Sequence, residues 1–427
     1  QARRGECAQR LPGAAGQALQ ELPNGIVVHA TDGVVRPAWG GIQEMLAVNH
    51  VQHALPRDVE TAVIGGGVAG ISTALFLARA GRDVVVLERA WPWSEASGAN
   101  ACALSIHDKL PEVQPLAELS MQQWARFEPE MGIDVQFVHS GGLRVATSER
   151  AAEAMRAYSR EQEHAGLELE WLDGNALRVR VPWLGPKVVA ATFCAGDAYA
   201  SAFAAGAGLV HGAARAGVRL VGEAEVKAVR RDGGSYALET AKGALRAKNV
   251  VIAAGPWSGA LAAALGCPVP LYVDINMGTI TEPAPIFMNT SLLHAEGVLS
   301  LKQFSNGTVF IGGGWQGRGR FAMGEKFTIG DRLRQNYQLA VEVAPIIGPL
   351  RMMRSWAGYE AVSPDAMPVL GALPGSPGAY IATGARGGYS LGPGMGFTIA
   401  EKILRGGENS VAIDRFSPAR FAGGGHA

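Results

Sequence analysis

The sequence predicts an α/β fold: a Rossmann-like unit joined to a second, β-rich region. Three observations carry this expectation. Residues 61–88 read as strand, glycine turn, helix, strand and acid. Beyond residue 140, stretches of buried-strand and small-residue-helix text alternate with β-rich text that has no glycine fingerprint. Near the far end of the chain, from Gly384, stands a second glycine-rich strand-to-helix turn.

The first unit opens with Thr61-Ala62-Val63-Ile64, a short β-rich run. Gly65, Gly67 and Gly70 then form G-x-G-x-x-G, with Val68 and Ala69 inside it. Ile71, Ala74, Leu75 and Ala78 are spaced for one helix face. Gly81 ends that helix, and Val84 to Leu87 is fully apolar, as buried parallel strands are. Gly65 allows a tight turn, Gly67 lets backbone approach a pyrophosphate, and Gly70 lets the helix pack on the strand. The helix N-terminus offers free N–H groups and a positive dipole end to phosphates. Glu88 follows the second strand at roughly the twenty-residue distance of a carboxylate that holds ribose hydroxyls. A lone glycine motif is often an ordinary turn; with strand, helix, strand and acid in order it reads as a dinucleotide site.

Composition sets the outer bounds. The chain has 427 residues, enough for two domains and a large core. Lys+Arg is 38 and Asp+Glu is 38, so no basic excess points to nucleic acid. The 57 glycines stand in short apolar contexts, as turns and close backbone–ligand contacts do. Cys7, Cys102, Cys194 and Cys267 form no C-x-x-C pair and read as free thiols of a reducing compartment. No apolar run reaches the ~18 residues of a membrane span. The basic N-terminus lacks the apolar stretch of a signal peptide. The expectation is a cytoplasmic protein, with peripheral docking at the inner membrane as the alternative.

Residues 1–57 read as an extension ahead of the nucleotide strand, wrapping the domain or docking a protein partner. His50 and His53 lie three apart there without a nearby Cys, Asp or Glu set, which fits surface or linker residues better than a metal site, and no metal is expected. The loop Ser97-Gly98-Ala99-Asn100-Ala101 suits a chain passing close to a ligand, or an ordinary turn. Residues 112–131 read as a helix, 141–146 as a strand, 148–165 as a charged helix, 167–172 as a strand and 201–216 as a small-residue helix. A hairpin is expected about Asp232-Gly233-Gly234, a buried strand over 249–255, and a second hairpin about Asn306-Gly307, the strongest short turn signal. Residues 379–384 read as a strand, and a helix is expected over 397–404.

The opening fingerprint, the run Val250 to Trp257, and the ending Trp356-Ala357-Gly358, Ser363-Pro364-Asp365, Pro368, Gly371, Gly384 and Gly396 together resemble the D-amino-acid oxidase superfamily of FAD-dependent oxidoreductases. The likeness spans about residues 58–410. Ser97 to Ala101 and Gly384 to Gly388 are most similar to the branch of glycine and sarcosine oxidases and opine and D-hydroxyproline dehydrogenases. The resemblance implies a Rossmann-like FAD-binding domain over 58–139, 188–267 and 351–410. A β-rich α+β substrate domain, 140–187 and 268–350, would be inserted in it, with 411–427 as a tail.

The resemblance also implies non-covalent FAD. The flavin-linking cysteine of monomeric sarcosine oxidases falls on Gly358 by count from Asp365. Contacts to FAD are expected from Gly65, Gly67, Val68, Ala69, Gly70, Glu88, Arg89, Ser97, Asn100, Ala101, Val226, Gly255, Trp257, Gly387, Gly388 and Tyr389. The reaction implied is hydride transfer from the α-carbon of an amine or amino acid to flavin N5, leaving an imine. O2 or a quinone or redox partner would take the electrons. The alternatives are a hydroxy-acid dehydrogenase and an FAD-bearing subunit of a larger dehydrogenase. The family's carboxylate-gripping arginine after the Trp-x-Gly turn is replaced by Gly358-Tyr359-Glu360-Ala361. Glycine oxidases have an arginine in the loop matching Arg386, so the resemblance makes Arg386 the candidate substrate anchor, the alternative being a salt bridge or phosphate contact, with Tyr359, Tyr389 and Lys302 as further catalytic candidates. Glu360 would face a cationic amine or be structural.

Overall fold

In this computed structural model, residues 52–422 except 408 are described, together with three short strands, Leu19–Glu21, Val27–Thr31 and Val34–Val35. The expected docking role of residues 1–57 therefore lies almost wholly outside the described residues. His53 is described. Its N–H donates to Leu220 O at 2.8 Å and its Nδ1 accepts from Leu220 N at 3.1 Å, so it borders a strand. No group of metal-binding side chains occurs among the described residues.

The nucleotide-type sheet is centred on Asp58–Ile64, with Val84–Leu87 parallel on one side and the end of Gly243–Ile252 parallel on the other. Arg219–Val221 extends it beyond Val84–Leu87. Val63 stands opposite both Val86 and Val251, and all three are buried. The strand Gly243–Ile252 changes partners along its length: residues 243–247 pair antiparallel with Ser235–Thr240, whereas 250–252 pair parallel with Ala379–Thr383. In this way the chain's last strand is brought beside its first glycine turn.

Helix Val68–Arg79 is buried over nearly its whole length, because it packs between the sheet and the helices Gly388–Arg405 and Ala202–Arg215. The principal one is Gly388–Arg405, which closes the chain onto the sheet. It begins well before the expected 397, taking in the entire run Gly388 to Gly396 and Pro393. Local propensity argues against a helix there, but tertiary packing requires one. A methyl group on Gly392 would lie 2.4 Å from Val68 Cγ1, and one on Gly396 2.7 Å from Ser72 Cβ. Small residues thus bring two helix backbones together. Leu391, Met395 and Ile399 of the same helix are buried, each stabilising by about 1.5–3 kcal/mol.

The second sheet is mixed and has eight strands. Its order is Met352–Val362, Tyr272–Thr281, Val309–Gly312, Ser300–Gln303, Ser291–His294, Gly142–Ala146, Ala190–Cys194 and Glu170–Asp173. Two of these strands were expected with the nucleotide sheet. Ala190–Cys194 instead pairs with Gly142–Ala146, and Met352–Val362 runs antiparallel to Tyr272–Thr281 along its whole length. Strand pairing joins residues far apart in sequence, and nothing in either strand's own text selects the partner sheet. The Asn306-Gly307 hairpin forms as expected, with Gly307 at φ +84° and Phe304 N bonded to Thr308 O at 2.9 Å. Beyond the closing helix, Arg420 pairs with both oxygens of Asp365, at 2.8 and 3.1 Å, fastening the 3-10 turn Pro418–Phe421.

Candidate active site

At one end, the site is made of backbone. The strand Asp58–Ile64 runs into Gly65 at φ +110°. A methyl group there would stand 2.3 Å from Ala253 O, and one on Gly70 would stand 2.0 Å from Gly65 O, so both positions must be glycine. The N-terminus of Val68–Arg79 carries no acidic side chain; only Ser97 Oγ meets it, accepting from Val68 N at 2.9 Å. Its positive end is left open to an anion. Glu88 Oε2 accepts from Gly66 N at 2.7 Å and Oε1 from Ala90 N at 3.0 Å. Burial raises its pKa, against the lowering effect of those two N–H donors. The Arg89 guanidinium lies 3.6 Å from the centre of the Trp257 ring and pairs with Glu95 at 2.8 Å.

From this turn a cavity of about 570 Å³ runs to the loop before the closing helix. That is within the usual range for a bound organic ligand. Gly65, Gly67, Val68, Ala69, Glu88, Arg89, Ser97, Asn100, Ala101, Val226, Gly255, Trp257, Gly387, Gly388 and Tyr389 all line it. Gly70 does not, since it packs helix on strand. The wall is continuous from an open helix N-terminus and a ribose-distance acid to a second helix N-terminus, which fits an extended dinucleotide such as FAD.

At the other end, the polar side chains are bonded to one another. Arg386 is half exposed, and its guanidinium pairs with Asp274 at 2.8 Å and more loosely with Glu360 at 3.6 Å. Glu360 accepts from Gly387 N at 2.8 Å and from Asn276 Nδ2 at 2.6 Å, tying the second sheet to the turn before the closing helix. The other three catalytic candidates have their polar atoms bonded within the protein. Tyr359 lines the cavity, but its hydroxyl donates to Glu325 O at 2.7 Å and its ring packs on Trp257 and Phe321. Tyr389 is buried, with its hydroxyl donating to Ala200 O at 3.2 Å and its ring against Trp124. Lys302 does not reach the cavity: wholly buried, its Nζ donates to Ala101 O at 2.5 Å and Ser300 Oγ at 3.1 Å. Burial pulls its pKa down to about 8. It braces the loop Ser97 to Ala101 from behind. Gly358 lies against Ala99, where a methyl group would come within 2.8 Å of Ala99 Cβ, and it offers the flavin no sulfur.

Several residues of the site escaped the sequence reading. Asn276 on Tyr272–Thr281 lines the cavity beside Glu360. Lys109 also lines it, buried at 7% exposure. Asp197, wholly buried, binds the loop that precedes Lys109: its oxygens accept from Ser105 Oγ at 2.7 Å, Ile106 N at 2.7 Å and His107 N at 3.2 Å. Burial pushes its pKa up to about 6. Asn276 sits in a strand whose partner could not be read. The Asp108-Lys109 pair looks like ordinary solvated text, and no local signal marks either residue.

The profile of the DAO family, FAD dependent oxidoreductase, matches residues 60–402. The chain belongs to that family. Within it, the chain is 27% identical over 374 residues to glycine oxidase of Geobacillus kaustophilus (strain HTA426), covering 85% of this chain and 97% of that protein. The crystal structure of glycine oxidase from Geobacillus kaustophilus superposes with a TM-score of 0.77 at 26% identity, covering 86% of this chain and all of the other. Sarcosine oxidase subunit beta of Rhizobium meliloti (strain 1021) is 24% identical over 376 residues, covering 84% of this chain and 88% of that one. L-proline dehydrogenase from P. horikoshii shares the fold, with a TM-score of 0.78 at 24% identity over 86% of this chain and 98% of that one. The cofactor of this family member is FAD, and the residues that line the cavity fit it.

Proposed function

We propose that this chain acts on a small amine or amino acid admitted between the second sheet and the closing helix. The reaction is FAD-dependent oxidation of a C–N bond to an imine. When bound, FAD supplies the electron sink, its N5 accepting the hydride that leaves the substrate's α-carbon. The observation that carries the proposal is the single continuous cavity, with an open helix N-terminus at one end and Asn276, Glu360 and Arg386 at the other. The similarity to glycine oxidase and sarcosine oxidase subunit beta supports the same substrate class.

The chain's own groups do the positioning. Tyr272–Thr281 and Met352–Val362 form a two-stranded wall that puts Asn276, Met277, Gly278, Tyr359 and Glu360 along the cavity, where they would face a bound flavin. Held by Gly387 N and Asn276, Glu360 is fixed in place and presents a carboxylate to the nitrogen of an incoming amine. The apolar Met277 and Phe310 exclude water from the α-carbon. Lys302 holds Ala101 O, so the loop Ser97 to Ala101, which would border bound FAD, keeps its shape.

A cytoplasmic place accords with the buried free thiols Cys102, Cys194 and Cys267. No helix among the described residues is long and apolar enough to cross a membrane. A protein partner at residues 1–57 would be the oxidant-side partner of a multisubunit dehydrogenase. The test is anaerobic mixing of the holoprotein with D-amino acids, N-methyl amino acids, prolines, opines and 2-hydroxy acids. Bleaching of the flavin by an amine, with release of an imine or its hydrolysis products, supports the proposal; bleaching by hydroxy acids alone overturns it. Repeating the run in air and with a quinone identifies the oxidant.

A further inference from the structure

Residues 313–329 leave the second sheet, cross to the nucleotide-binding half and return, and none of them is buried. Both ends of this segment are fastened to one strand, Tyr272–Thr281. Gly317 N donates to Ile275 O at 2.6 Å, and Ile329 N donates to Met277 Sδ at 3.1 Å. Between those ends the segment is bonded to itself. Arg318 and Phe327 exchange backbone hydrogen bonds at 3.0 and 2.8 Å, and Arg320 holds Glu325 with two more at 2.8 and 2.7 Å. A unit braced internally, with no buried residue of its own, opens as one piece at low cost.

Two contacts tie it to the nucleotide-binding half. The Phe321 ring packs on Trp257 with centres 5.0 Å apart, and Lys326 pairs with Glu95. Tyr359 of the second sheet backs both: its ring lies 5.3 Å from Phe321 and 4.9 Å from Lys326 Nζ. The place of these contacts is the second observation. Val84–Leu87 and Gly243–Ile252 flank Asp58–Ile64 on opposite sides. Arg89 follows the first and Trp257 the second, so the Arg89–Trp257 contact spans the end of the central strand, where Gly65 begins the glycine turn. Glu95 pairs with Arg89, and all three side chains line the cavity. They form a bar across its phosphate end. Phe321 and Lys326 stand behind this bar, and beyond them Met323 and Phe327 are 62% and 53% exposed.

We propose that residues 317–328 are a clasp on the cofactor. With Lys326 latched to Glu95 and Phe321 seated on Trp257, the bar is held across the phosphate end. FAD enters and leaves when the clasp swings away on its two fastened ends. Lys326 and Phe321 are positioning residues that act through Glu95 and Trp257. The inference rests on the FAD assignment and is independent of the substrate.

The test follows flavin exchange alone. FAD release is timed by fluorescence as holoprotein is diluted, and FAD uptake by quenching on added apoprotein. The chains compared are the unaltered one, Lys326→Met, Lys326→Arg and Phe321→Ala. A latch bars passage in both directions, so weakening it raises the open fraction with and without FAD. For Lys326→Met, release and uptake should each become roughly three- to tenfold faster, the span from a partly exposed ion pair to a charge-assisted hydrogen bond. Phe321→Ala, which loses two aromatic contacts, should do at least as much. Lys326→Arg should restore both rates. In a Glu95→Gln background Lys326→Met should add nothing, because it acts through Glu95. Unchanged rates in both Lys326→Met and Phe321→Ala overturn the proposal. Faster release with unchanged or slower uptake also overturns it, assigning the segment to packing of the bound state. Unchanged FAD exchange with an altered substrate requirement overturns it too, assigning the segment to substrate entry. Should Lys326→Met or Phe321→Ala fail to fold, the other and the milder Phe321→Leu read the same two rates. Failure of every amine to bleach the flavin sinks the proposed reaction and leaves these rates interpretable.

Discussion

The two ends of the cavity are built on different principles. Around Gly65 to Glu88 the ligand meets backbone: a glycine turn, a helix N-terminus and a carboxylate anchored by two N–H groups. Around Arg386 it meets side chains that already satisfy one another, those of Asp274, Asn276 and Glu360 on the second sheet, joined by the backbone N–H of Gly387 at the N-cap of the closing helix. The first end tolerates almost no change in atom size but depends little on side-chain chemistry. The second depends on which charge faces which. An end that binds an invariant cofactor can be rigid and backbone-made, while an end that selects a substrate works through side chains.

The largest expected effect falls at the backbone end. Gly65→Ala places a methyl group 2.3 Å from Ala253 O at a φ of +110°. Strain and clash should together cost upward of about 3 kcal/mol. Thermal unfolding and flavin content report it, and a stable, fully flavinated variant would break the comparison at its firmer end. Next comes Glu88→Ala, which should weaken FAD binding by roughly 1–3 kcal/mol, the range for a charge-assisted hydrogen bond. Titration of apoprotein with FAD measures it; unchanged affinity would mean that Glu88 serves only Gly66 and Ala90.

At the other end the effects are smaller. Burial draws the Lys302 pKa down to about 8 from the ordinary lysine value of 10.5. Between these two pH values the unfolded chain binds more protons, so the residue's contribution to stability rises as pH increases through that window. The slope is at most ~1.4 kcal/mol per pH unit. Lys302→Met should flatten it in denaturant titrations from pH 8 to 10.5, and an unaltered slope would mean that the amine is not buried as described. The smallest effect is expected for Arg386→Lys. Its pair with Asp274 is half exposed, so the loss should stay below about 1 kcal/mol, with FAD retained. A large rise in the substrate concentration needed for half-maximal flavin reduction would return Arg386 to the role of substrate anchor.

The contrast also explains what was legible in the sequence. Gly65, Gly67, Gly70 and Glu88 are constrained by contacts within one strand–helix–strand unit, so their spacing carries the information. The hairpin at Asn306-Gly307 is legible for the same reason. The glycine run 388–396 was misread as loop because its helix exists only through packing on Val68 and Ser72, far away in sequence. Tyr359, Tyr389 and Lys302 stand out in the sequence only as polar residue types. Their polar atoms turned out to be bonded to Glu325, Ala200 and Ala101, pairings that no local pattern encodes. Lys109 was invisible because its burial depends on residues as far away in sequence as Gly387.

This backbone end should hold one FAD without a covalent bond. It is tested most directly by denaturing the purified holoprotein, passing it through a filter and identifying the flavin on each side. FAD, equimolar with the chain, should pass into the filtrate and leave a colourless polypeptide above it. Flavin retained by the polypeptide, a mononucleotide in place of FAD, or no flavin at all would contradict it.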